Sequence, residues 1–222
     1  MSFTAENSKH HTGRNTTSLV MCLLVAALLW FIMFSPWTSS HVSFWACMVV
    51  SAVLLVCLAL TFGGNKSLGR GDGSSLPGSL ILGITIAAVL WAVFYIGDKV
   101  SQFIIPFARA QVNIIYNIKG GISPTLLSLL LLSIIGPAEE IFWRGYVQRT
   151  LANSRSPFIA FLLTTACYAL VHLPSWNFML IMAALVCGIC WGGLYWIMPH
   201  RLGAIIISHA LWDAAAFVWF PF

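Results

Sequence analysis

Charge is scarce in this chain. Of its 222 residues, 11 are Lys or Arg and 6 are Asp or Glu, so 8% are charged, against about 25% in an ordinary soluble domain. So few charges cannot solvate the surface of a water-soluble fold. The net charge of +5 is scattered, with no dense Lys/Arg run, which excludes the electrostatic footprint of a nucleic-acid binder. The H-E-x-x-H pattern that sets two zinc ligands and a base on one helix is absent. No A-x-A site follows the first apolar run, and the leader MSFTAENSKHHTGRNTT is too long and mixed for a signal-peptide n-region, so that run reads as an uncleaved span.

Cysteine is equally uninformative. Cys22, Cys47, Cys57, Cys167, Cys187 and Cys190 all fall in apolar stretches, which argues against a disulfide framework. Cys187-x-x-Cys190 overlaps Gly188-x-x-x-Gly192, so close helix packing through small residues explains it better than a redox or metal pair.

What the chain does have is apolar length. It is 59% hydrophobic with a mean hydropathy of +0.90, and spans of about 20 residues fill it with transmembrane helices. The expected fold is all-α, a polytopic membrane helical bundle of about seven transmembrane helices, or eight if an amphipathic segment also crosses. A polar leader (1–17) precedes three spans within 18–97, near 18–34, 42–62 and 79–97. Residues 98–121 repeat apolar side chains at helical spacing, with Gln102, Arg109, Asn113 and Asn117 interrupting them, and read as an interfacial amphipathic helix weakened by Pro106. Residues 122–222 form a four-helix core, with helices near 125–152, 157–172, 178–198 and 202–220.

A cytoplasmic N-terminus gathers Lys9, Arg14, Lys66, Arg70, Arg144, Arg149, Arg155 and Arg201 inside and leaves Lys99, Arg109 and Lys119 opposite. The expected location is a multi-pass cell membrane, in a prokaryote. His10 and His11 read as solvated tail, and His41, His200 and Arg201 as interface or topology residues.

Ionisable residues inside spans are costly and mark functional sites by default. Here they are Glu139, Glu140, His172, His209 and Asp213. Glu139 and His172 lie at similar distances from the turn near Ser154, on neighbouring antiparallel helices, so they reach similar depth. His209 and Asp213 are i and i+4 on one face, as are Glu140 and Arg144, with the acid first. Pairing Glu140 with Arg144 leaves Glu139 free toward a cavity. A carboxylate in a poorly solvated site can serve as general base near neutral pH, with His209 and Asp213 facing developing negative charge. Blander readings stand beside these: a structural Glu140–Arg144 pair, a His172 that caps carbonyls at a helix end, and a His209–Asp213 packing pair.

Glu139-Glu140-x-x-x-Arg144, Tyr168-x-x-x-His172 and His209-x-x-x-Asp213, with Gly136-Pro137 and Arg144-Gly145 beside them, resemble the three motifs of the CPBP family, the CAAX proteases and bacteriocin-processing enzymes also called Abi proteins. The resemblance implies an intramembrane endopeptidase with its active site in a cavity open toward the cytoplasm. By motif position, Glu139 and His172 activate water, and His209 and Asp213 stabilise the oxyanion. Departures are Tyr168 and Trp143, where the family usually or often has Phe, and Asp213 in place of Asn, since an ionised carboxylate cannot donate a hydrogen bond.

Glu139, His172, His209 and Asp213 are also an acceptable zinc donor set, and the family was long described as metalloprotease. The missing H-E-x-x-H favours a metal-free glutamate mechanism without a cofactor. The expected partners are a membrane-embedded or lipidated protein or peptide substrate, cut near the cytoplasmic face, and the bilayer itself, with no nucleic acid. Two other classes stay open: a proton-coupled transporter, and a non-catalytic immunity or scaffold protein on the same fold.

Overall fold

The computed structural model describes residues 2–69 and 75–222, with side chains from residue 16 onward. Its helices are α1 (Ser2–Phe34), α2 (Phe44–Gly63), α3 (Leu76–Ile104), α4 (Ala108–Asn117), α5 (Pro124–Ala152), α6 (Pro157–Leu170), α7 (Phe178–Ile197) and α8 (Leu202–Ala214), the last prolonged by a π-turn over Ala215–Trp219. There is no strand among the described residues. Among the described residues, seven helical segments are long and apolar enough to cross a membrane, and α4 is not one of them. At 10 residues it reaches only about 15 Å, half a hydrocarbon core, so the eight-span alternative does not hold.

Local chemistry sets where several of these helices begin. Ser75, Ser123 and Ser156 each accept a backbone N–H of the following turn (Gly78, Leu126 and Ile159) at 3.2–3.3 Å, with proline next in the first turn. Asn177 caps α7 in the same manner, 3.0 Å from the Leu180 amide. The third helix is longer than its hydropathy suggests. It continues through Asp98 and Lys99 to Ile104 and ends just before Pro106, so the segment expected to start at residue 98 is split between α3 and α4. A polar clip fixes α4: Gln111 accepts the Met179 amide at 3.0 Å through Oε1 and the Asn177 side chain at 2.9 Å through its carbonyl.

Small residues bring the helices of the core together. A Cβ on Gly136 of α5 would sit 2.7 Å from the Ala210 Cα of α8, and one on Gly83 of α3 would sit 2.8 Å from the Ala204 carbonyl oxygen. Gly188 and Gly192 face Thr165 and Phe161 of α6, which is the packing role the small-residue motif suggested. The outer faces of α1 to α3 expose Leu24, Val50 and Ile81, as helices solvated by lipid would.

Two π-turns, Leu131–Ile135 and Ile141–Gln148, bracket one α-helical turn, Gly136–Glu140. Such bulges re-aim side chains and recur at functional sites. The turn they isolate carries both glutamates.

Candidate active site

Glu139, His172, His209 and Asp213 come from three helical segments and line one cavity of about 460 Å³, together with Tyr168 and Trp191. All six are largely buried. Glu140 and Arg144 are wholly buried and stand behind this wall rather than in it.

Glu140 is the hub of the second layer. Its Oε1 lies 2.7 Å from Arg144 Nη1 and 2.6 Å from His209 Nδ1. The expected Glu140–Arg144 pair is therefore present, and the link onward to His209 is an addition the sequence did not reveal. Arg144 also lies over the Tyr168 ring at 4.9 Å and the Trp191 ring at 5.7 Å, a cation–π cradle for a guanidinium with few oxygen partners. Trp191 stacks on the His209 imidazole at 3.8 Å between centroids and 17° between planes, and anchors its own N–H on Ser208 at 3.1 Å. Held on one face and at Nδ1, His209 can offer only Nε2 to the cavity, where Asp213 Oδ2 lies 3.5 Å away.

Glu139 makes no ion pair among the described residues and accepts the Tyr168 hydroxyl at 2.9 Å. It is thus unpaired by charge, as expected, but not free of hydrogen bonds. Tyr168 binds His172 as well: Nδ1 of that ring lies 2.8 Å from the Tyr168 carbonyl. Trp30 of α1 donates its indole N–H to His172 Nε2 at 3.1 Å, so Nε2 accepts and Nδ1 carries the hydrogen. Part of the bland reading of His172 therefore holds, since it bonds a carbonyl four residues back at the end of α6. It cannot take up a proton without giving up one of these two bonds.

Two site features escaped the sequence. Trp30 sits in the first apolar span, where one of ten tryptophans carries no distinguishing signal. Asp98 also lines the cavity; it is held by Gln102 at 2.5 Å and Lys99 at 3.4 Å, with Arg109 at 3.9 Å. The i, i+4 spacing of Asp98 and Gln102 was a usable clue. Nearby, Tyr116 donates to the Ala216 carbonyl and accepts the Phe222 amide, both at 3.1 Å, and burial pushes its phenol up, keeping it a neutral donor.

A metal does not fit this geometry as it stands. Among the described residues no group of three or more His, Cys, Asp or Glu side chains converges on an ion position, and both His172 nitrogens already have partners. Cys187 and Cys190 are free thiols. His10 and His11 lie outside the residues whose side chains are described.

Residues 121–215 match the family model for the type II CAAX prenyl endopeptidase, Rce1-like. The match spans less than half of the chain but contains every candidate residue from Glu139 to Asp213. This agrees with the resemblance carried by the three motifs. Neither the curated proteins nor the solved structures gave a match.

Proposed function

We propose that the protein is a multi-pass intramembrane endopeptidase that hydrolyses a peptide bond of a membrane-anchored or lipid-modified polypeptide, with Glu139 as the base. The observation that carries this reading is the convergence of Glu139, His172, His209 and Asp213 on one largely apolar cavity, within a segment matching a CAAX-type endopeptidase family.

Glu139 takes a proton from a water molecule as its oxygen attacks the scissile carbonyl carbon. The C–N bond then breaks, and the same proton passes to the leaving nitrogen. Negative charge gathers meanwhile on the carbonyl oxygen. His209 answers it through Nε2–H, because a carboxylate beside each ring nitrogen suits a ring that donates from both. Asp213 then acts as the counter-charge of His209 and not as a donor, which removes the difficulty its carboxylate posed. His172 joins the water once its Nε2 exchanges Trp30 for it.

No step runs through a metal in this scheme. Cleavage by the purified protein that survives a strong chelator supports it; loss of cleavage restored by zinc overturns it.

The function itself is tested in cells, by comparing membrane proteomes of strains carrying wild type or Glu139→Gln. An uncut polypeptide accumulating with the variant, at equal protein abundance, supports the reading. Proton flux in liposomes without any cleavage product would favour a proton relay instead.

A further inference from the structure

The cavity lies toward one end of the bundle. Phe34 at the end of α1, Phe44 at the start of α2, Ile105 after α3, Ile115 on α4 and Phe178 at the start of α7 all line it. Because successive spans alternate direction, these five positions share a single end. Glu139 and Trp191 lie deeper.

The other end is closed and basic. Arg149 donates to the Gly63 carbonyl at 2.9 Å, Gln148 to the Gly192 carbonyl at 2.8 Å, and Gly145 packs directly on the Ser67 backbone. Lys66, Arg149, Arg155 and Arg201 lie at this end, Lys9 and Arg14 precede the first span on the same side, and Arg70 lies outside the described residues. The cavity end holds Lys99, Arg109 and Lys119. Arg144 counts for neither, being neutralised in the interior by Glu140. Short loops rich in Lys and Arg stay in the cytoplasm. A cytoplasmic N-terminus and a cavity open to the cytoplasm therefore exclude one another in this fold.

We propose that the cavity opens to the non-cytoplasmic face, so that the substrate is a membrane-tethered polypeptide whose scissile segment is exposed on the exported side. The word substrate rests on the peptidase reading; the side does not. The apolar rim suits an extended apolar segment or acyl chain entering from the outer leaflet, with the peptide bond descending toward Glu139.

The test reads topology in intact bacterial cells. Asn117→Cys marks the cavity end and Ser154→Cys the basic hairpin tip, both exposed and outside the site. A membrane-impermeant maleimide is applied before and after permeabilisation, with the parent chain as control for its native thiols. The proposal expects labelling of residue 117 in intact cells and of residue 154 only after permeabilisation. The reverse pattern, or equal labelling of both sites in intact cells, overturns it. A second measurement leaves the chain unaltered: alkaline phosphatase fused after Phe222 should be active and a fluorescent protein fused there dark, and the opposite result overturns the proposal. Because neither readout needs cleavage, Glu139→Gln should give the same pattern, and failure of the peptidase reading stays distinguishable from failure of the side.

Discussion

The indole N–H of Trp30 reaches Nε2 of His172 across 3.1 Å, linking the first helix to the turn that follows the sixth. Its donor, Trp30, lies outside the segment that matches the endopeptidase family, yet the bond fixes the tautomer of the histidine, with Nε2 accepting and Nδ1 carrying the hydrogen.

Replacing Trp30 with Phe removes that donor while the Tyr168 carbonyl still holds Nδ1. Steady-state cleavage should stay within about tenfold of wild type, a difference of about 1.4 kcal/mol in barrier height. A loss far larger than this in folded protein would mean that the indole bond persists in the reacting state.

Arg144 depends on Glu140. Arg144→Met leaves that carboxylate buried with only His209 as partner, and breaking a buried pair from one side costs about 3–5 kcal/mol. Thermal unfolding in detergent should show a large drop in midpoint. An unchanged midpoint would show that the cation–π cradle and the ion pair contribute little.

Gly136→Ala forces a methyl against the Ala210 backbone, at 2.7 Å from its Cα, beside His209. Overpacking of this kind costs about 1–3 kcal/mol, and the shift of α8 moves Nε2 relative to Glu139. Cleavage should therefore fall even well below the unfolding transition. Gly97→Ala meets nothing within 4 Å, and alanine is favoured over glycine inside a helix, so its unfolding midpoint should not fall. Equal behaviour of the two variants would contradict the packing account.

These relationships divide what could be read from the sequence from what could not. Spacing along one helix was legible: Glu140 with Arg144 and His209 with Asp213 follow from 3.6 residues per turn. The meeting of Glu139 with the His172 region followed from similar distances to a shared turn. Contacts between helices far apart in sequence were not legible, because an apolar run does not record which face it presents; hence Trp30, and the link from Glu140 to His209, went unseen. The third span was read too short because hydropathy falls at Asp98 and Lys99, although their side chains find Gln102 and one another and the backbone stays helical until Pro106 intervenes. The π-turns around the glutamates leave no compositional trace.

The most direct measurement is single-turnover cleavage of a lipidated reporter peptide by purified protein in liposomes, wild type against Glu139→Gln, with folding checked by the thermal midpoint of each. Loss of about 10²-fold or more in the variant at an unchanged midpoint is the predicted result, the contribution expected of a general base. Cleavage by the variant at the wild-type rate would contradict the assignment of Glu139, and with it the account of the cavity.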